Sequence, residues 1–170
     1  MKRLCCCIAV LGLVVAAGNM AQAQPDKHSV GLGVSVGAAF PEGETSDKIN
    51  VKNWDGSFNW GFYVNIPLIY TFHITPSAEL YKFREDNATD VSLAFKFIIP
   101  LPLLDIYLGF VPGLTTVGDF TGAHVGGIAG VAFNLIANLD LFVQGKYKVL
   151  FEGDHNIRVL HANAGVLFHF

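Results

Sequence analysis

The sequence predicts an all-β chain, an eight-stranded antiparallel up-and-down barrel that crosses a membrane, and three observations predict it. The first is the ending. In Ala162–Phe170, the residues Ala162, Ala164, Val166, Phe168 and Phe170 share one face, and Asn163, Gly165 and His169 share the other. A period of two describes a strand with one face in an apolar medium and the other in a polar one. The second is composition. The chain is 52% hydrophobic and only 15% charged, against about 25% charged for an ordinary soluble domain. The third is that, beyond the N-terminal leader, no segment reaches about 18 uninterrupted apolar residues, so spanning helices are not expected and strands must do the crossing.

Eight segments carry the alternation. Ser29–Phe40 sets Val30, Leu32, Val34 and Val36 against Gly31, Gly33, Ser35 and Gly37. Gly56–Ile66 sets Phe58, Trp60, Phe62 and Val64 against Ser57, Asn59, Gly61 and Tyr63. The third, Phe72–Arg84, is less regular, with Ile74, Ala78 and Leu80 opposed to Glu79 and Tyr81. Thr89–Ile99 places Val91, Leu93, Phe95 and Phe97 opposite Asp90, Ser92, Ala94 and Lys96. Leu103–Thr115 alternates Leu104, Ile106 and Leu108 with Asp105, Tyr107 and Gly109. Gly122–Asn134 sets Val125, Ala129 and Val131 against His124, Gly126 and Gly130. Leu139–Phe151 sets Leu141, Val143 and Tyr147 against Gln144, Lys146 and Lys148, and Ile157–Phe170 completes the set. Each is long enough for a tilted span of about 9–11 residues, and an even count permits antiparallel closure.

The connections fall alternately into two kinds. Residues 41–55, 85–88, 116–121 and 152–155 are polar or charged, whereas Pro67-Leu68, Pro100-Leu101-Pro102 and 135–138 are compact and nearly uncharged. Barrels of this kind have short turns on one side and longer loops on the other, so both termini fall on the short-turn side. The face opposite the large apolar residues is mostly Gly, Ser, Ala, Asn and Thr. Small residues suit the interior of a narrow eight-stranded barrel, so the aliphatics and aromatics point outward, the reverse of a soluble lipocalin-type barrel.

The N-terminus reads as a secretory signal, residues 1–23. Lys2 and Arg3 precede an apolar run from Leu4 to Ala17, and Ala21-Gln22-Ala23 is an A-x-A cleavage site. Cys5, Cys6 and Cys7 all lie inside it, so the mature domain, residues 24–170, has no cysteine for a disulfide framework. That domain carries nine Lys/Arg against fourteen Asp/Glu, a net charge of −5, which argues against a nucleic-acid partner.

With these features the mature chain resembles the small outer-membrane barrels of Gram-negative bacteria, the OmpA/OmpX-like group, over essentially its whole length. The signal peptide, the eight amphipathic strands and the Phe-terminated last strand carry the resemblance. It implies a monomer in the bacterial outer membrane, in contact with outer-membrane lipid and lipopolysaccharide. It also implies insertion by the barrel-assembly machinery, with Phe168 and Phe170 as the assembly signal. The chain ends where the periplasmic domain of OmpA would begin, so peptidoglycan tethering is not implied.

On the inward face, Glu79, Lys96, Asp105 and Lys146 are expected to form an ion-pair network that plugs the lumen, because buried charges need partners. A hairpin of the third and fourth segments centred between Asn87 and Ala88 would set Glu79 opposite Lys96, with Asp105 mirroring Lys96 across the Pro100–Pro102 turn; Lys146 would mirror His161 about Gly153-Asp154. A narrow channel is an alternative to the plug. Lys82, Arg84 and Arg158 lie near the outer rim, where lipopolysaccharide phosphates would sit. The loop 41–55, with four acids, two lysines and Trp54, is long for so small a barrel and a candidate to bind a surface ligand. No cofactor or metal is expected: the six histidines show no ligand spacing. A lipid A-modifying enzyme is the competing class, since some eight-stranded barrels are such enzymes. The His-x-Ser pair of the deacylase type is absent, so no catalytic residue is assigned.

Overall fold

The computed structural model describes residues 29–42, 56–83, 86–136, 138–152 and 155–170. Their secondary structure is entirely β: β1 Gly31–Glu42, β2 Ser57–Ile69, β3 Phe72–Phe83, β4 Asp86–Pro100, β5 Leu104–Phe110, β6 Gly113–Val117, β7 Phe120–Ile136, β8 Leu139–Glu152 and β9 His155–His169. Every pairing is antiparallel, and β1 pairs with both β2 and β9, which closes the ring.

Nine strands occupy eight positions in that ring. β5 and β6 both lie between β4 and β7, and the register is unshifted across the gap: Phe110 faces Phe95 and Gly127, while Gly113 faces Ser92 and His124. The gap is Val111-Pro112, where Pro112 has no N–H for the ladder. Around it the backbone bonds persist, from Val111 N–H to Gly126 O (2.8 Å) and from Leu93 N–H to Pro112 O (2.9 Å). The fifth strand expected from sequence is therefore one ribbon with a proline interruption.

Alternation holds all round the ring. Val34, Val36, Phe58, Phe62, Val91, Phe97, Leu108 and Phe168 are exposed on the outside, while Asn59, Glu79, Asp90, Lys146, Lys148 and His161 are buried inside. This protein is apolar without and polar within, so its exterior needs a non-aqueous surrounding. The narrow lumen is filled by pairing absent side chains with rings. A Cβ on Gly130 would come within 2.6 Å of the Tyr107 ring, and one on Gly165 within 2.5 Å of the Phe142 ring, so those glycines make room for the aromatics directly opposite them on the next strand. Gly118, at φ 55°, sits between Val117 and Phe120, the last pair of the β6–β7 ladder. A positive φ in a two-residue turn is what a tight hairpin asks of glycine.

The expected links are shorter than the sequence suggests: Pro41 belongs to β1, Pro67 and Leu68 to β2, Thr116 and Val117 to β6, Phe120, Leu135 and Ile136 to β7, Glu152 to β8 and His155 to β9. Asp86, Asn87 and Ala88 belong to β4, not to a loop, and the β3–β4 ladder runs up to Phe83 opposite Asp86. Loop residues 43–55 lie outside the described residues.

Candidate functional site

The lumen has three layers. Towards the end where β6 meets β7 and β8 meets β9, Ala39, Tyr81, Ala88, Val117, Leu150, Ile157 and Val159 form an apolar layer, with Phe120 packed against it. Leu150, Ile157 and Val159 are all 0% exposed.

Below it lies a charged layer. β3 and β8 stand at opposite ends of a diameter of the eight-position ring, and Lys146 on β8 reaches across to Glu79 on β3 with Nζ 2.9 Å from Oε2. Two residues further along β8, Lys148 pairs with Asp90 on β4. Glu79 and Asp90 are direct neighbours across the β3–β4 ladder. Like charges so placed repel, and the two lysines opposite them make the quartet neutral. Each carboxylate is further satisfied. Tyr63 Oη and Asn163 Nδ2 (3.1 Å) donate to Glu79 Oε1. Ser92 Oγ donates to Asp90. Lys148 also donates to Tyr81 Oη at 3.0 Å. Gln144 links the layer downward, giving an N–H to Tyr63 Oη (3.2 Å) and accepting from Tyr107 Oη (3.0 Å).

Two histidines flank the quartet. His161 is directly opposite Lys146 in the ladder, as sequence symmetry expects, and its Nδ1 is 2.6 Å from Asn59 Nδ2. His124 Nδ1 is 2.9 Å from Thr115 Oγ1, and its Nε2 is 3.2 Å from Ser92 Oγ. Glu79, Asp90 and His161 offer ligand atoms within 4.8 Å of one another. Both carboxylates already hold an ammonium, so a dication there would compete with Lys146 and Lys148.

The third layer is a cavity of about 60 Å³ at the terminal end, where β1 begins and β9 ends. Asn65, His73, Thr75, Lys96, Asp105, Tyr107, Asp140 and His169 line it with apolar Ile98, Phe142 and Leu167. His169 Nε2 bonds Asp140 Oδ2 at 2.9 Å. Thr75 Oγ1 donates to Asn65 Oδ1 at 3.1 Å.

Of the four residues expected to share one network, Glu79 and Lys146 meet, while Lys96 and Asp105 lie in the cavity below. The pairing of Glu79 with Lys96 is corrected. The hairpin turns earlier than the Glu85-Asp86-Asn87 run suggested, so Glu79 faces Asp90 and Lys96 faces His73. The displacement is six residues, an even number, which leaves the faces intact and changes only the partner. Lys96 and Asp105 do not mirror each other either: Asp105 faces Pro100, and Lys96 faces Gly109. The Lys96 ammonium instead sits 4.7 Å from the centroid of the Tyr107 ring. Asp90 and Lys148 lay on faces read as inward but were not singled out. In a ring of eight, the third and seventh strands are diametrically opposed, and that rule alone would have brought Glu79 to the lysines.

Lys82 and Arg158 are exposed near the hairpin ends, Arg158 opposite Glu42; Arg84 lies outside the described residues. Phe168 and Phe170 are exposed on the outer face at the terminal end, with ring centroids 6.3 Å apart. Phe170 is fixed by its N–H to Val30 O at 3.1 Å.

No family model matches the chain, and no curated protein matches it. Among solved structures, Neisserial surface protein A (NspA) superposes with a TM-score of 0.71 at 14% identity, covering 83% of this chain and 97% of that one. Ail, the attachment invasion locus protein of Yersinia pestis, gives 0.48 at 16% identity over 82% and 99%. The N-terminal β-barrel domain of Pseudomonas aeruginosa OprF gives 0.44 at 17% over 81% and 97%. The ring closure, the inverted polarity and the NspA superposition agree: this chain has the fold of the small outer-membrane β-barrel proteins.

Proposed function

We propose that this protein is a non-catalytic β-barrel of the bacterial outer membrane, exported by cleavage of residues 1–23. Its lumen is plugged, and its role is structural or one of surface contact. The observation that carries the reading is the neutral quartet Glu79–Lys146 and Asp90–Lys148 strung across the lumen beneath a fully buried apolar layer. Such an interior favours a closed lumen over a continuous water path. The exposed aliphatic and aromatic exterior supports a lipid surrounding, since an aqueous one would leave that surface wet.

On this reading Lys82, Arg84 and Arg158 meet lipopolysaccharide phosphates at the outer rim, the loop 41–55 carries the surface contact, and Phe168 and Phe170 are read by the barrel-assembly machinery. Planar-bilayer recording tests the plug: no steady openings are expected, and sustained large conductance overturns it. Mass spectrometry of lipid A with and without the gene tests the absence of catalysis, and a changed acylation pattern would overturn that. Deleting residues 43–53 is expected to abolish binding to host surfaces while leaving the folded barrel intact.

A further inference from the structure

Among the described residues, the terminal-end cavity holds a lumen lysine, Lys96, that makes no ion pair. Lys146 and Lys148 each meet a carboxylate. Lys96 is equally enclosed, at 8% exposure, yet among the described residues its ammonium contacts the Tyr107 ring and forms no ion pair or hydrogen bond, with Glu79 reaching it only through space. A cation–π contact offsets only a small part of what enclosing an ammonium costs. On the far wall, Asp140 gives Oδ2 to His169, while its buried Oδ1 has no hydrogen-bond partner. Besides Asp105, which is engaged elsewhere, the cavity thus presents a cation without an ion-pair partner and a half-used carboxylate together.

These groups lie at different depths. Asp140 is the second residue of β8 and sits opposite Leu167 near the end of β9. Lys96 lies four residues into β4 from Pro100, at the far end of that strand from the hairpin. At about 3.3 Å per residue that is about 13 Å along the strand, and the flexible stem of the lysine covers part of it. Asp140, Leu167 and His169 of the lining stand at the ends of β8 and β9 nearest Phe170, which puts the mouth of the cavity at that end.

We infer that this cavity is a binding site for a small zwitterion whose carboxylate and ammonium are separated by a short chain. The carboxylate pairs with Lys96 in the depth of the cavity, and the ammonium donates to Asp140 Oδ1 near the mouth. A molecule with one charge would satisfy one wall and leave the other unmet. The site goes beyond the plugged-barrel reading and does not depend on it, because it lies below the quartet.

The test uses the full mature barrel refolded in detergent micelles, with β-alanine as probe and its single-charge halves, propionate and ethylamine, as controls. The Lys96 side-chain ¹⁵N and ¹³C resonances report occupancy. Saturable shifts are expected with β-alanine, at least tenfold tighter than with either half. Lys96→Met is expected to abolish binding. Asp140→Asn is expected to bring β-alanine down to the affinity of propionate, and because it removes no cation it serves if the Met variant does not fold. Three results overturn the inference: no saturable shift at Lys96, propionate binding as tightly as β-alanine, or unchanged preference in Asp140→Asn.

Discussion

Removing the carboxylate of Glu79 is a sharp perturbation, because that group joins β2, β8 and β9 across the lumen. It is 0% exposed and accepts from Lys146, Tyr63 and Asn163. Glu79→Gln keeps the volume and one carbonyl oxygen but turns an N–H₂ towards groups that are themselves donors. It also leaves Lys146 and Lys148 facing only Asp90. Breaking a buried pair by removing one partner costs about 3–5 kcal/mol. With a urea dependence of about 2 kcal/mol per molar, the unfolding midpoint should fall by about 2 M.

Lys146→Met should cost a similar amount by stranding Glu79. The double variant should cost less than the sum, with a coupling of about 2 kcal/mol, since the glutamine amide can then donate to Asn163 Oδ1, which is buried without a partner. The assay is equilibrium urea unfolding in lipid vesicles, followed by tryptophan fluorescence and by heat-shifted gel mobility. Added salt should leave these differences unchanged, because enclosed pairs are screened little. Single-variant shifts below about 0.5 M that simply add would refute the strut.

Three further outcomes follow from other layers. Val36→Arg, mid-strand on the outer face of β1, should cost about 2–4 kcal/mol in vesicles, and Val30→Arg near the terminal end about 0–1; equal costs at both depths would deny a lipid surrounding. Leu150→Ala in the apolar layer should lose about 2–5 kcal/mol in the same unfolding assay, and a loss under 1 would mean that the layer is not packed. Phe170→Ala should leave in vitro stability within about 0.5 kcal/mol, as for exposed sites generally, while the amount of barrel recovered from cell membranes falls. A large in vitro loss with normal recovery would reverse the assignment.

The faces of this barrel were legible in the sequence because alternation is local. Val91 and Ser92 declare their sides without reference to any other strand, and the fold class follows from eight such declarations. Registers are not local. Glu85-Asp86-Asn87 has the composition of a turn, yet Asp86 and Asn87 pair with Phe83 and Lys82, because extending the ladder satisfies more backbone groups than an open loop would. The error moved Lys96 from Glu79 to His73 while keeping it indoors. The Pro112 interruption was hidden for a related reason: a proline in a strand run argues for a break, but the alternation continues through it from Phe110 to Leu114, and the unshifted register shows that both signals were true.

Backbone hydrogen bonds in a closed ring join each strand only to its neighbours. They fix circumference and stagger, but a ring held by neighbour bonds alone can flatten without breaking one of them. Contacts across the diameter resist that deformation, and here they are polar. Lys146 and Lys148 run from β8 to β3 and β4, and Tyr63 on β2 gathers Gln144, Asn163 and Glu79 from the strands around it. An apolar filling of equal volume would stabilise the interior as well or better, but it would not choose one cross-section over another. The geometry therefore assigns the quartet to shape before stability. An all-apolar replacement of Glu79, Asp90, Lys146 and Lys148 should still fold, and its lumen-facing side chains should then give broadened NMR resonances while those on the outer face stay sharp.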